Sequence, residues 1–314
     1  MTGHTGDNTT GGSTRRRFLR GAAAATTGAL AIGGFGGTAA AGDLTSQPEA
    51  PSDYPVVSTR DHFNSDAEVI NGNNAWNYDI EGTWDNYYTD GNELVVFVHG
   101  FLNGDEEAML LPQAVGGAYE TDLALQQNGY DETVACFSWD SDEGRSLDLG
   151  WADAKDIARR NGRKLATFIH YWNNGEYVPV SGGGPVRIVA HSLGARVVGE
   201  ALTSLRYDFG DYNAVETVSL LGGAIDEDEP ALGGGYGYDI EYATRRLDNY
   251  YNWDDQILGA IYETRELEAA VGEEALTGWE PDNYEDRNVS WTVDTHFDYY
   301  QRDIGCIPRV VSNF

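Results

Sequence analysis

Three features of the 314-residue sequence predict an α/β fold with a doubly wound, mostly parallel sheet. Short apolar runs recur (ELVVFVHG, TVACFSW, VRIVA and TVSLLGG), each continuous rather than alternating, as suits strands buried on both faces. Helical periodicities lie between them, and that alternation builds a parallel sheet covered on both sides. Polar residues able to do chemistry follow the runs directly, and ligands in such sheets bind beyond the carboxyl ends of the strands. The main domain is expected to span 61–314, with a small cap, because few residues separate TVSLLGG from the next strand candidate.

The chain opens on different material. TRRRFLR, Thr14–Arg20, precedes an Ala/Gly-rich apolar run to about Gly37 and then AAAGD. A basic head, a run too short for an ordinary membrane span and a small-residue site near Ala41 read as a signal peptide over 1–41. Its paired arginines before Phe18-Leu19 resemble a twin-arginine export signal, so secretion without stable membrane insertion is expected. Residues 42–60, with Pro, Ser and Asp, read as an extended segment.

Further along, WNYDI is a short strand candidate. After VHGFLNG a helical region is expected to break at Pro112 and resume to about Asn128. From Ser146 to Trp172, Trp151, Ala154, Ala158, Leu165, Phe168 and Trp172 recur at spacings of an amphipathic helix. Leu193, Val197, Ala201 and Leu205 repeat every four residues and mark another helix. DNYYNW and NVSWTV are the last strand candidates.

Charge excludes one class of partner. The chain carries 51 acidic and 20 basic residues, of which only Lys155 and Lys164 are lysines. Such a surface repels nucleic acid and itself. At molar salt the Debye length falls to about 3 Å and self-repulsion is screened, so the composition suits concentrated brine. Cys136 lies in an apolar strand where a buried free thiol is natural; export would equally permit a disulfide with Cys306.

The sharpest motif is Ala190-His191-Ser192-Leu193-Gly194 between strand VRIVA and a helix. Strand, tight turn and helix with serine at the apex describe a nucleophile elbow, whose small flanking residues let strand and helix backbones approach. A plain capping serine is the competing reading. A nucleophilic serine needs a base, and of the six histidines only His296 follows it, beyond the last strand candidate. For the orienting acid Asp255 is preferred, because an Asp-x-apolar-Leu pattern starts there; Asp254 and Asp226 are rivals. The run Asp226–Glu229 reads as a solvated acidic face rather than a calcium site, and no metal is expected. Oxyanion donors are expected from the N–H groups of Leu193 and of Phe101, after the His99-Gly100 turn that His99 anchors. Trp139, Tyr236 and Tyr238 are candidates for walls of a substrate pocket.

VVFVHGF, CFSWDS, VRIVAHSLGARVV and LLGGAID together resemble the α/β-hydrolase superfamily, in its DUF900-type and lipase/esterase branch. The resemblance implies an eight-stranded sheet and hydrolysis of a small-molecule ester without cofactor, with Ser192, His296, Phe101 and Leu193 in their family roles and Asp255 transferred less directly. Other acyl hydrolysis (thioesterase, polyester depolymerase or peptidase) and a catalytically silent envelope or binding protein are the alternative readings on the same scaffold.

Overall fold

The four central strands are buried at every position: β3 (Leu94–Val98), β4 (Thr133–Ser138), β5 (Val186–His191) and β6 (Thr217–Leu221). Their apolar runs leave no polar face to turn to water, so they fill the middle of the sheet. In the computed structural model they are joined by β1 (Val56–Ser58), β2 (Asp79–Glu81), β7 (Leu247–Tyr251) and β8 (Tyr284–Asn288) in the order β2-β1-β4-β3-β5-β6-β7-β8. Every pairing is parallel except β1 with β2 at one edge. This is an α/β, doubly wound, mostly parallel sheet. The structure describes residues 47–314 apart from 90, 103–106, 142–146, 177–179, 181, 263–265 and 267; the expected signal peptide lies outside them.

The helices divide between the two faces as strand alternation dictates. Leu94, Val96 and Val98 share one core with α2 (Leu147–Asn173) and α3 (Gly194–Ser204), including Phe168, Trp172, Val197 and Ala201. Val95 and Phe97 point the other way, into a core with Ala118 and Leu125 of α1 (Glu107–Gln127) and Ile307 and Val310 of α6 (Ile307–Ser312). Two short helices complete the set: α4 (Gly237–Ala243) between β6 and β7, and α5 (Gln256–Ile261) after β7.

Beyond the carboxyl ends of β6 and β7 two loops pair with each other. Asp226 bridges Ala270, Glu227 N–H donates to Ala269 O, and Leu232 N–H donates to Trp279 O. Among the described residues no helix is long and apolar enough to cross a membrane.

Several expectations are corrected. Pro112 does not break its helix; α1 runs through it, and the residue sits near the amino end, where its missing N–H removes a single intrahelical donor. The last strand is Tyr284–Asn288 rather than NVSWTV, whose residues 289–293 form a turn closed by Val293 N–H on Val289 O. An edge strand with one neighbour needs no apolar run: Arg287 Nε meets Asp248 Oδ1 at 2.9 Å and Asn249 Nδ2 meets Asp286 Oδ1 at 2.8 Å. Part of the segment read as extended, Val56–Ser58, is a buried strand of the sheet. Cys136 and Cys306 are both free and buried.

Close approach of α2 and α3 depends on Gly162. A Cβ there would lie 2.3 Å from Glu200 Cβ and 2.8 Å from the Ala201 nitrogen. Gly162→Ala is therefore expected to force the helices apart and lower the unfolding free energy by about 1–3 kcal/mol, read by denaturant titration in molar salt.

Candidate active site

The turn from β5 into α3 places Ser192 at φ +54°, a left-handed conformation that costs a residue with a Cβ some strain. Its neighbours hold it there. Ser192 N–H donates to Leu221 O at the end of β6 (3.0 Å), and its carbonyl accepts from the N–H groups of Ala195 and Ala224, each 3.0 Å away. Gly194 must be small, because a Cβ would fall 2.5 Å from Val98 O on β3. At Gly100 a Cβ would sit 2.6 Å from Ser192 Cβ and 3.2 Å from its Oγ, so the His-Gly turn lies directly against the serine. Ser192 is 7% exposed.

His296 arrives from the loop after β8. Its Nδ1 lies 2.7 Å from Asp255 Oδ2, and both residues are buried. Asp255 N-caps α5: its Oδ1 accepts from the N–H groups of Ile257 (3.2 Å) and Leu258 (3.1 Å), while Oδ2 serves the imidazole. Burial pushes this carboxyl up, but the His296 charge and the hydrogen bonds from His296 and Leu258 outweigh it and hold it below its ordinary value. Tyr299 OH donates to Asp255 Oδ2 and lies equally near Gly272 O, both at 3.3 Å.

His191 connects the two halves. Its Nε2 is 2.7 Å from the carbonyl oxygen of His296, which can only accept, so Nε2 carries the proton. Burial foremost, then the nearby His296, lowers its pKa to about 3, which keeps the ring neutral. The residue before the serine thus grips the backbone of the residue that holds the imidazole.

The second side of the serine is equally fixed. His99 Nε2 accepts from the Trp139 N–H at 3.1 Å, which leaves the proton on Nδ1, 2.8 Å from Gly100 O. Trp139 stacks on this ring, and its Nε1 donates to His99 O at 3.0 Å. His99 therefore anchors the turn that carries Phe101, itself partly buried against Trp151, while Leu193 is fully buried at the start of α3.

Of the rival acids, Asp254 is exposed and Asp226 lies elsewhere, 3.9 Å from the buried Arg196 guanidinium. Glu229 reaches the same Arg196 at 3.0 Å. The Asp226–Glu229 run thus turns two carboxylates toward an arginine rather than wholly to water, and among the described residues no group of three or more His, Cys, Asp or Glu could hold a metal ion. The aromatic candidates for pocket walls do not gather at the serine. Trp139 has no exposure, Tyr236 is buried against Gly199 with its hydroxyl on Glu200, and Tyr238 is 55% exposed. Packing accounts for Trp139 and Tyr236, while Tyr238 is open to solvent. The sequence reading missed His191 and Tyr299 as supports. Tyr299 follows His296 by three residues, a spacing that could have flagged it; the partner of His191 is a backbone carbonyl, which leaves no trace in sequence.

Comparison with known proteins adds a family and distant folds. Residues 140–311 match the model of a family described as "Protein of unknown function (DUF726)", in place of the DUF900-type branch suggested by the motifs. No curated protein matches the sequence. Among solved structures, the chain is similar to an esterase from Pyrobaculum calidifontis at 12% identity and TM-score 0.37, over 72% of this chain and 77% of that one. It is also similar to Aspergillus fumigatus lipase B at 11% identity and TM-score 0.33, over 62% of this chain and 45% of that one.

Neutral burial of His99 and His191 has a consequence for stability. Both stay uncharged in the native state down to about pH 3, whereas the unfolded chain takes up protons near 6.5. The unfolded state then binds more protons, so stability is lost as pH falls from 6.5 toward 3, by up to about 1.4 kcal/mol per pH unit for each ring. His191→Gln, which keeps a donor for the His296 carbonyl, is expected to lose stability less steeply than wild type between about pH 6 and 4, measured by denaturant unfolding.

Proposed function

The chain belongs to the DUF726 family, and we propose that it is a serine hydrolase that cleaves carboxylic esters through an acyl-enzyme on Ser192. One observation carries this reading. The buried Asp255–His296 pair is tied to His191, the residue preceding a serine held on a left-handed elbow.

In this reading Ser192 Oγ attacks the ester carbonyl carbon as its proton passes to His296 Nε2, the nitrogen left over by the bond to Asp255. His296 returns that proton to the departing alcohol. Water then adds to the acyl-enzyme with His296 again taking a proton, and collapse releases the carboxylic acid and the free serine. Asp255 keeps the Nδ1 tautomer and balances the imidazolium charge. The N–H groups of Leu193 and Phe101 receive the developing oxyanion, and no cofactor takes part. Few residues separate β6 from β7, which fits a small cap, and soluble or short-chain esters are the substrate class.

The acidic, lysine-poor chain belongs in concentrated salt, and the basic head and apolar run of residues 1–41 serve twin-arginine export to the cell exterior.

Hydrolysis of p-nitrophenyl butyrate in molar KCl tests the reading. Wild type is expected to turn over and to be labelled by a fluorophosphonate probe, and Ser192→Ala to do neither. Asp255→Asn is expected to lower kcat by about 1,000-fold or more, since it leaves the wrong imidazole tautomer, whereas Asp226→Asn keeps activity. A folded wild type that neither hydrolyses nor labels would overturn the proposal in favour of a silent scaffold.

The Gly100 contact gives a second test. Gly100→Ala places a methyl against Ser192 Cβ and shifts the turn bearing Phe101, so kcat is expected to fall by roughly 100-fold or more with the fold intact by circular dichroism.

A further inference from the structure

We propose that the chain carries a binding site for a neutral glycan on the outer edge of the sheet, beside β2 and the carboxyl half of α2. Three strands, β1, β4 and β3, lie between β2 and β5, the strand that leads into Ser192, so the two sites are separate. A cavity of about 450 Å³ opens there, lined by Asn74, Trp76, Asn77, Tyr78, Tyr171 and Glu176 among others.

The aromatic surface is exposed yet held in place. Trp76 is 39% and Tyr171 40% exposed, so each offers ring surface to the cavity. The Arg163 guanidinium lies 4.5 Å from the Trp76 ring centroid, and Phe209 meets the same ring edge-on at 5.8 Å. Tyr78 is braced edge-on by Phe168 at 5.6 Å. These rings are oriented before any ligand arrives.

The loop carrying Trp76 is clamped by a buried ammonium. Lys164 has no exposure, and its Nζ donates to Asn74 O at 2.6 Å, Asn77 O at 2.7 Å and Asn77 Oδ1 at 3.3 Å, with His62 Nδ1 at 3.0 Å. Inside the loop, Asn74 Oδ1 accepts from the N–H groups of Trp76 and Asn77. Taking an ammonium out of water is costly unless its donors are satisfied. Here the return is a rigid loop outside the sheet, the kind of preorganisation that lowers the entropy cost of binding.

Ligand chemistry follows from what the cavity offers. Aromatic rings beside the Glu176 carboxylate and the phenolic groups of Tyr78 and Tyr171 match a pyranose, which has an apolar C–H face and a rim of hydroxyls. An anion is disfavoured by Glu176 and by a formal charge of −31, while the nearby cations are engaged, Lys164 in the loop and Arg163 with Asp208. A wholly apolar ligand would strip water from the polar rim without replacing its hydrogen bonds. An uncharged sugar satisfies both surfaces.

The test is titration of the full chain in molar KCl with maltohexaose, cellohexaose, mannohexaose and chitohexaose, by calorimetry and tryptophan fluorescence. At least one is expected to bind saturably. Removing one stacking ring by Trp76→Ala, or independently by Tyr171→Ala, is expected to weaken binding about tenfold. Ser192→Ala is expected to bind as wild type does, which separates this site from the proposed hydrolytic one. Absence of saturable binding to all four sugars, or undiminished binding in both folded aromatic variants, overturns the proposal. Saturation by the peptide Gly-Trp-Gly without any sugar binding would also overturn it, in favour of a protein partner.

Discussion

The left-handed backbone at Ser192 is the constraint from which the rest of this end of the molecule follows. Such a conformation costs a non-glycine residue on the order of 1–3 kcal/mol and survives only where its surroundings over-determine it. Here both backbone polar groups of Ser192 are bonded across to β6 and forward into α3, and two glycines let β3 and the His99-Gly100 turn pass within contact. The same turn aims the preceding side chain, His191, at the carbonyl of His296. Elbow and histidine loop are therefore one mechanical unit, although 105 residues separate the bonded pair.

Asp255 does two jobs with its two oxygens. One caps a helix and the other holds an imidazole, so the helix end supplies donors that keep the carboxylate charged. This explains why the position stands out in the sequence: Asp-x-apolar-Leu is a helix-start signature, and the capping requirement wrote it there. The four central strands were legible for a related reason, since burial on both faces forces an unbroken apolar run. The amphipathic period likewise gave α2 to within a residue of its ends.

What stayed hidden shares a physical origin. β8 is held by ion pairs and an asparagine, so its sequence, YEDRN, looks like a loop, while the valines after it belong to a buried turn. Trp139 and Tyr236 read as pocket walls because aromatic residues near strand ends are ambiguous until their burial is known. The grip of His191 on a main-chain carbonyl carries no partner side chain to notice. Charge placement was hidden as well. In a chain this acidic the scarce cations do internal work: Arg196 is 1% exposed between Glu229 and Asp226, and Arg187 is paired with Glu93 across adjacent strands.

Both lysines follow that pattern, Lys155 paired with Glu266 at 18% side-chain exposure and Lys164 sealed beneath the Asn74–Asn77 loop. Neither presents a free ammonium to solvent. Amine-directed chemistry on the native protein is thereby channelled to the α-amino group at whatever amino terminus the chain carries. A dye, surface or cross-linker can be attached there at a single point, and gradual reaction at Lys164 would serve as a clock for opening of the loop it holds.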